Sequence, residues 1–485
     1  MGVSKPPAVP SLAQLLLSHD ARAPALRFGA RWWSYGDLHA ASQRAASTAW
    51  HGWGVRPGDR VAWLGGNHVA QIALLLGLAR IGAILLPLNY RLAPAEWQRL
   101  VKDCSPRHLV HDDEWASAAG ELARACGIAA HALEELDGDS DTPAPLHASG
   151  QAPALLVCTS GTTGGPKAAV HTQANLLANM RIAARVQAMT PQDTVLTVLP
   201  LFHVGGLCIQ TLPALHAGAR VILHGRFHPG ETLACIAQDR PTLTLQVPAT
   251  MKALLEHPAW RDTDLGSLRA VWAGSSLIPP ACVEGFHARG VPVCNVYGAT
   301  ETGPFSVALT PAHAFDHVGS CGWPAPEVEA RFGERHGDAA ELLLRGPNIV
   351  RRYWPDLPAC DEDGWFATGD LAQQDADGSY RIVGRARDLV ISGGENIHPA
   401  EVEQALAEHP AVAECVAFGL PDARWGEVVA MAVVVRRPVN EEELRAHLAQ
   451  RLARFKLPRR WFFLAELPKT ALGKVQRGEL AKRLG

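Results

Sequence analysis

One polar stretch decides how this chain is read: Thr159-Ser160-Gly161-Thr162-Thr163-Gly164-Gly165-Pro166-Lys167. It directly follows the apolar residues 154–158, an order that predicts a buried strand and then a polar loop. The glycines let backbone approach a bulky anion, the hydroxyls and N–H groups donate to its oxygens, and Lys167 adds positive charge. The stretch therefore predicts a polyphosphate-binding loop.

Two other interpretations fit a loop rich in Gly, Ser and Thr. Clusters of Gly, Ser and Thr are often simple linkers. A Walker loop needs Gly before its Lys and Ser or Thr after it. Here Pro166 and Ala168 flank Lys167, so the hydroxyl that holds magnesium in Walker loops is missing. The loop is therefore not of the Walker type.

Composition limits the classes of protein to consider. The chain has 485 residues, of which 47% are hydrophobic and 19% charged, enough for a large core and two or three domains. Its 45 Lys and Arg against 48 Asp and Glu give a net charge of −3, without long basic runs. We expect no broad basic surface for nucleic acid, so phosphate binding must be local.

Cysteine usage and the N-terminus bear on localisation. Ten cysteines, from Cys104 to Cys415, form neither a CxxC pair nor a His/Cys cluster at metal spacing. This pattern favours a reducing cytoplasm. Residues 1–6 lack an apolar signal segment, and Pro6 stands where a myristoylation motif needs Ser or Thr. No export signal or lipid anchor is expected.

The longest apolar tract runs from Ile72 to Leu88. Arg80, Gly82 and Pro87 divide it well short of the roughly 20 apolar residues that a membrane span needs. The tract predicts a helix, a turn and a buried strand, and no transmembrane segment.

The first 145 residues alternate short strands with amphipathic helices, a pattern typical of an α/β layered domain. Ser34 has the position of a helix cap, and 61–64 the character of a strand. Residues 137–151, rich in Asp, Ser, Pro and Gly, predict a surface connection leading to the polar loop.

Further motifs follow in a fixed order. They are Leu199-Pro200-Leu201-Phe202-His203-Val204-Gly205-Gly206, Val271-Trp272-Ala273-Gly274-Ser275-Ser276, Asn295-Val296-Tyr297-Gly298-Ala299-Thr300-Glu301-Thr302, Asp363-Gly364-Trp365-Phe366-Ala367-Thr368-Gly369-Asp370, Ser392-Gly393-Gly394-Glu395-Asn396 and Leu467-Pro468-Lys469-Thr470-Ala471-Leu472-Gly473-Lys474. Together with the polar loop they resemble the motif series of the AMP-forming adenylate synthetases: acyl-CoA synthetases, luciferases and peptide-synthetase adenylation domains. The resemblance covers nearly the whole chain.

The resemblance implies an α/β fold with two domains. Residues 1–386 would form a large N-terminal domain that binds ATP and the acyl group. Residues 387–485 would form a small mobile α+β domain that carries the catalytic lysine. The pattern of the small domain agrees, with helices expected at 399–407 and 441–453 and strands at 412–418 and 428–435.

The resemblance also implies the nucleotide site. ATP or AMP would contact Thr159, Ser160, Gly161, Thr162, Thr163, Gly164, Lys167, Gly274, Ser275, Ser276, Asn295, Tyr297, Gly298, Thr300, Asp370, Ile382, Arg385 and Lys474. Catalytic roles would fall to Lys474, Glu301, Thr300 and His203. Glu301 would hold Mg2+, which prefers carboxylate oxygen together with phosphate oxygens and retained waters. Asp370 is acceptor-only and suits both ribose hydroxyls.

The acyl pocket would be lined by Phe202, His203, Gly205, Trp272, Ala273 and Gly274. Amino-acid-activating relatives carry Asp after the aromatic residue, and this chain has His203 there, so an amino-acid substrate is disfavoured. Strand alternation puts Trp272 and Ala273 on opposite faces, so only one of them points straight into the pocket. A buried tryptophan is usually packing, which favours Trp272 as a core residue.

The small domain would supply CoA contacts from Gly394, Trp425 and Phe455, and Arg387 would be the hinge. The chain departs from the family pattern in a few places. Cys158 replaces an aromatic residue, Ala168 a frequent glycine, and Arg387 an Asp or Lys. None of these changes removes a group that the chemistry requires.

The resemblance implies an acid:CoA ligase that uses ATP, Mg2+ and CoA on a small carboxylic acid. Two other hypotheses are an adenylate-forming enzyme with another acceptor, such as a carrier protein or oxygen, and a non-catalytic nucleotide sensor. Overall similarity leans to fatty acids, with aryl acids such as benzoates or succinylbenzoate as the alternative. A homodimer stays open.

Overall fold

The computed structural model of the protein describes residues 11–138, 142–159, 167–274, 278–392, 395–422, 425–470 and 475–485. They form a mixed α/β structure, which confirms the predicted fold class. The chain divides into two compact units, Met1–Glu329 with Leu344–Phe366, and Ala330–Leu343 with Ala367–Gly485. The boundary of a mobile domain at residue 387 stays a prediction, and it lies inside the second unit.

The strands are numbered along the chain. They are β1 Pro24–Phe28, β2 Arg31–Ser34, β3 Arg60–Leu64, β4 Ile84–Pro87, β5 His108–His111, β6 Ala129–Ala132, β7 Pro153–Thr159, β8 Lys167–Thr172, β9 Thr194–Thr197, β10 Arg220–Leu223, β11 Leu243–Gln246, β12 Ala270–Ala273, β13 Val293–Tyr297, β14 Val307–Ala308, β15 Trp323–Pro324, β16 Glu329–His336, β17 Ala339–Arg345, β18 Arg352–Tyr353, β19 Leu357–Pro358, β20 Phe366–Gln374, β21 Tyr380–Arg385, β22 Val390–Ser392, β23 Glu395–Ile397, β24 Val412–Asp422, β25 Gly426–Val435 and β26 Arg460–Phe463.

The α-helices are numbered in the same way. They are α1 Tyr35–Ser47, α2 Val69–Arg80, α3 Pro94–Cys104, α4 Ala116–Cys126, α5 Gln173–Val186, α6 Leu212–Ala217, α7 Pro229–Asp239, α8 Pro248–Glu256, α9 Pro280–His287, α10 Pro399–Ala407, α11 Glu441–Ala449 and α12 Arg477–Leu484.

The larger sheet of the first unit has the strand order β15-β14-β13-β12-β11-β9-β10-β1-β2. From β13 to β1 the strands run parallel. All residues of β9, β11 and β12 are buried. Parallel strands covered on both faces are apolar almost throughout, which explains the unbroken Ala270–Ala273 run before the small residues.

The second sheet of this unit has the order β19-β18-β8-β7-β4-β3-β5-β6. The predicted helix, turn and strand of the apolar tract appear as α2 and β4. The predicted cap is also present, since the Asp37 N–H donates to Ser34 Oγ at the start of α1. No helix among the described residues is long and apolar enough to cross a membrane.

The second unit contains a sheet of order β16-β17-β20-β21 and a sheet of order β23-β22-β25-β24, with β26 beside β25. Helix α10 has the predicted bounds. Helix α11 ends at Ala449 instead of Ala453, because Ala453 adopts extended backbone with ψ 147° and begins the turn Arg454–Lys456.

Candidate active site

The polar loop leaves and re-enters a pair of antiparallel strands. Thr159 at the end of β7 lies opposite Lys167 at the start of β8, and its Oγ1 donates to the Lys167 carbonyl at 3.1 Å. The ends of the loop are therefore fixed by a strand ladder, as the strand-then-loop pattern predicts. Ser160, Gly161, Thr162, Thr163 and Gly164 lie outside the described residues.

The turn that carries Glu301 follows β13. Residues Thr300–Thr302 form a short helical turn, in which the Ala299 N–H donates to Thr302 Oγ1 at 2.9 Å. Gly298 permits this turn, because a Cβ there would lie 1.7 Å from the Pro304 carbonyl oxygen. Only glycine tolerates such an approach.

A segment far along the chain holds this turn in place. Asn348 Nδ2 donates to the Thr302 carbonyl at 2.5 Å, and the Val350 N–H donates to the Glu301 carbonyl at 2.8 Å. In the same segment, the Tyr353 hydroxyl donates to Glu301 Oε1 at 2.9 Å. Sequence reasoning missed Tyr353. In the sequence, only its position shortly after Asn348 could have marked Tyr353 as a site residue. The strand pairing that brings Tyr353 to Glu301 is not visible in the sequence.

The acyl-side motif packs into the first unit at the start of the π-helical segment Gly205–Thr211. Burial lowers the pKa of His203 to about 4, so its ring is neutral at pH 7. The Gly205 N–H donates to His203 Nδ1 at 3.1 Å. Because Nδ1 accepts, the ring proton resides on Nε2. Phe202 is buried against Tyr90, edge to face, at 5.2 Å between ring centroids.

The strand β12 places Trp272 and Ala273 on different faces, as alternation predicts. Trp272 lies in register with Leu245 and Cys294, and Ala273 with Gln246 and Asn295. Trp272 is 0% exposed and its ring lies 5.5 Å from that of Phe305. The following Gly274 is sterically required, since a Cβ there would lie 2.5 Å from the Val296 carbonyl oxygen.

A narrow cleft, too tight to admit a water molecule, separates β9 and β11 from the Gly205–Thr211 segment. Its lining includes Leu245, the register neighbour of Trp272. The lining residues are Thr197, Val198, Leu199, Gly205, Gly206, Gln210 and Leu245. Among these described residues there is no ionisable side chain, so the cleft is uncharged.

The predicted ribose residues come together within the second unit. Asp370 on β20 lies opposite Arg385 on β21, with Arg385 Nε 2.8 Å from Asp370 Oδ1. Ile382 lies opposite Ala372 in the same ladder. The Thr368 hydroxyl accepts from the Asp370 N–H at 3.1 Å.

The hinge candidate Arg387 lies in the short turn Ala386–Asp388. Asp388 is bonded in turn by Arg477, which also binds Glu403 with distances of 2.6 and 2.7 Å. Lys474 lies outside the described residues, but the base of its loop is closed by a bridge between Lys469 and Val475.

The predicted CoA contacts lie beside different clusters of the second unit. Trp425 packs against the cluster that contains Phe418 and Leu480, and Arg459 lies 4.4 Å from its ring centroid. Phe455 is 40% exposed and belongs to the turn Arg454–Lys456. The next residue, Leu457, packs against a different cluster, which contains Val402 and Leu444. Gly394, Ser275 and Ser276 lie outside the described residues.

Two family models match successive parts of the chain. The family model "AMP-binding enzyme" matches residues 17–354, and "AMP-binding enzyme C-terminal domain" matches residues 401–474. The chain belongs to the AMP-binding enzyme family. The first match contains the polar loop, Glu301 and Tyr353, and the second ends at Lys474.

Named members of the AMP-binding family align over almost their full length. The chain is 41% identical to an indoleacetate–CoA ligase of Aromatoleum aromaticum, covering 94% of both proteins. It is 38% identical to a feruloyl-CoA synthase of an Amycolatopsis species, covering 96% of both. A fatty acid–[acyl-carrier-protein] ligase of Streptomyces coeruleorubidus is less similar, at 34% identity over 96% of this chain and 94% of that protein. Because the more similar relatives are named for aromatic acids, the leaning toward fatty acids and lipid metabolism is not supported.

The fold matches o-succinylbenzoate CoA synthetase from Bacillus subtilis in complex with its acyl-adenylate. The TM-score is 0.90 at 30% identity, covering 97% of this chain and 98% of that one. The same enzyme has been solved with ATP and a magnesium ion, with a TM-score of 0.89 and 30% identity, covering 97% of this chain and 99% of that one.

The residues of this AMP-binding enzyme fit a magnesium ion held largely by its substrate. Among the described residues, no group of three His, Cys, Asp or Glu is placed to cage a metal. Glu301 uses Oε1 to accept from Tyr353, and its carboxylate has a second oxygen. One carboxylate with phosphate oxygens and waters is the usual setting of Mg2+ beside ATP.

Proposed function

We propose that this chain is an AMP-forming acid:CoA ligase for an aromatic monocarboxylic acid. The observation that carries the choice of acid is the buried ring of Trp272, which lies on the strand next to Leu245 of the cleft and packs against Phe305. These rings occupy space that a long alkyl chain would need.

The charge of the acyl side supports the same class. His203 is neutral at pH 7, and the cleft lining carries no ionisable side chain among the described residues. A second carboxylate on the acid would lose hydration there without gaining a charged partner. This favours acids with one carboxylate, such as arylacetic or hydroxycinnamic acids. The named relatives, an indoleacetate–CoA ligase and a feruloyl-CoA synthase, support this class.

The reaction has two halves. In the first, a carboxylate oxygen of the acid attacks the α-phosphorus of ATP, the bond to pyrophosphate breaks, and an acyl-AMP forms. In the second, the thiol sulfur of CoA attacks the acyl carbon, AMP leaves with the bonding electrons, and the thiol proton passes to solvent. Two anions must meet in the first half, so catalysis is chiefly stabilisation of charge.

The roles of the chain's residues follow from this need. Lys167 and the polar loop would bind the phosphates, Glu301 would orient the magnesium ion that accompanies them, and Lys474 would stabilise charge at the reacting phosphorus. Removing one such donor typically costs about 3 kcal/mol of transition-state stabilisation. Asp370, with Arg385 bonded to it, would accept from the ribose hydroxyls.

A panel of acids tests the proposal. AMP release is measured with and without CoA for indoleacetate, phenylacetate, ferulate and benzoate, against octanoate, palmitate and succinylbenzoate. We expect the highest kcat/KM for one of the first four, with release of AMP dependent on CoA. A best substrate among the alkyl acids would contradict the choice of acid, and AMP release without thioester formation would contradict CoA as acceptor.

A further inference from the structure

Tyr353 is anchored to the strand that leaves the phosphate loop. It pairs with Ala169 of β8, two residues beyond Lys167. The next residue, Trp354, donates its N–H to the Ala168 carbonyl at 2.8 Å and packs against the core of this sheet. The Tyr353 backbone is thus fixed with respect to the point where the loop re-enters the sheet.

The side chain of Tyr353 contacts two charged groups that are predicted to bind MgATP, the Glu301 carboxylate and the Lys167 ammonium. Its hydroxyl donates to Glu301 Oε1 at 2.9 Å, and the ammonium of Lys167 lies 5.2 Å from its ring centroid. The second distance is in the range of a cation–π contact. A tyrosine hydroxyl has an O–H donor at neutral pH, and an ionised carboxylate can only accept, so the direction of this hydrogen bond is fixed.

The two contacts have different consequences. A hydrogen bond to one carboxylate oxygen fixes the rotamer of Glu301 and directs its other oxygen. The ring face attracts Lys167 without neutralising it, so the ammonium keeps its charge for an anionic ligand. The carboxylate and the ammonium are therefore both held by one side chain, at separate places on it.

We propose that Tyr353 is a positioning residue that orients Glu301 for the magnesium ion of MgATP and aligns Lys167 with the same phosphates. This inference rests on the proposed function for the role of Glu301. In this proposal Tyr353 neither binds the metal nor takes part in the reaction. Its effect should therefore appear in magnesium dependence and not in the identity of the acid.

The test is Tyr353→Phe, which keeps the ring beside Lys167 and removes only the hydroxyl. Loss of such a supporting contact typically weakens a metal site by about 10–100-fold. We expect the Mg2+ concentration for half-maximal ATP–pyrophosphate exchange to rise at least about tenfold, with kcat at saturating Mg2+ little changed. Calorimetry should show weaker ATP binding in Mg2+ and unchanged binding in its absence.

The matched control is Tyr35→Phe. Tyr35 lies in the first unit too, where it is fully buried while Tyr353 is half-buried, and its hydroxyl donates to the Ala219 carbonyl at 2.8 Å, within the packing of α1. We expect a lower melting temperature for this variant and no change in magnesium dependence. An equal shift for both variants, or no shift for Tyr353→Phe, would overturn the proposal.

A double variant controls for misfolding of Tyr353→Phe. ATP-binding calorimetry separates the role of Tyr353 from the proposed acid:CoA ligase function. In a Glu301→Gln background the carboxylate charge is gone, so adding Tyr353→Phe should cause no further shift in magnesium dependence. A further shift of about tenfold would overturn the positioning role of Tyr353. Calorimetry with ATP needs no acid. If the enzyme only fails to use aromatic acids, the proposed function alone is contradicted. If wild-type ATP affinity does not depend on Mg2+, the role proposed for Tyr353 is overturned.

Discussion

Asp370 and Arg385 face each other across the β20–β21 ladder, with Arg385 Nε 2.8 Å from Asp370 Oδ1. Asp370 is only 7% exposed, so its carboxylate is held in one orientation before any ligand arrives. A preorganised acceptor pays less entropy on binding than a mobile one. We therefore predict that the pair binds the two neighbouring hydroxyls of a ribose.

We expect Arg385→Met to raise KM for ATP by about tenfold or more, since a hydrogen bond to a charged group contributes roughly 1.5–3 kcal/mol. The control is Arg381→Met, which removes an exposed partner of Asp375 in the same sheet. Exposed pairs contribute little. Steady-state kinetics with varied ATP decides; equal effects of the two substitutions would argue against a special role for Arg385.

Lys474→Ala should abolish adenylation while sparing thioester formation from supplied acyl-AMP, because charge at phosphorus develops only in the first half-reaction. Lys469→Ala is the control at the base of the same loop, where the ammonium lies 2.6 Å from Glu414. Single-turnover assays of each half separate the roles. Loss of both halves to the same degree in Lys474→Ala would refute this assignment.

Arg387→Pro tests the predicted hinge in the turn Ala386–Asp388. Proline fixes φ near −65° and removes a dihedral that a rotation would need. We expect adenylation to persist and thioester formation to fall, while Arg387→Ala, which keeps backbone freedom, retains both. Rates for the two halves that match wild type in Arg387→Pro would remove the hinge from consideration.

Acid should destabilise the first unit through its buried histidines. Burial lowers the pKa of His216 to about 4, from an ordinary value near 6.5. Below pH 6.5 the His216 imidazole is protonated in the unfolded chain but stays neutral in the folded chain. The free energy of unfolding therefore falls between pH 6.5 and 4 and is constant below pH 4. At pH 5 this one residue accounts for about 2 kcal/mol.

Urea unfolding at pH 7 and pH 5 measures this effect. His216→Leu removes the titrating ring and should lose about 2 kcal/mol less than wild type on acidification. His51→Gln, at an exposed position, is the control for replacing a histidine. If both variants follow the wild-type curve, the buried ring does not contribute.

Local elements were predictable because their signals are local. The bounds of α10, the cap at Ser34 and the break between α2 and β4 each depend on residues within a few positions. Strand partners were not predictable. β1 pairs with β10 almost 200 residues later, and β18 with β8, because packing of distant segments sets parallel and edge pairings. For that reason Tyr353 is absent from the predicted site residues, although Glu301 and Lys167 are among them.

The last prediction concerns Trp272, whose side chain is fully buried against Phe305 on the strand next to the cleft. Trp272→Ala should cost roughly 3–5 kcal/mol of folding stability, as for other buried aromatic residues. If the ring also closes the acyl pocket, the mutant should adenylate longer acids better relative to aromatic ones. Trp63→Ala, an equally buried tryptophan on β3 of the other sheet, is the matched control and should lose stability without changing the ranking. Melting temperatures and acid profiles of the three proteins separate the outcomes. A loss of stability with an unchanged ranking would make Trp272 a core residue alone and remove its support for an aromatic acid, and a mutant unchanged in both would contradict the core role as well.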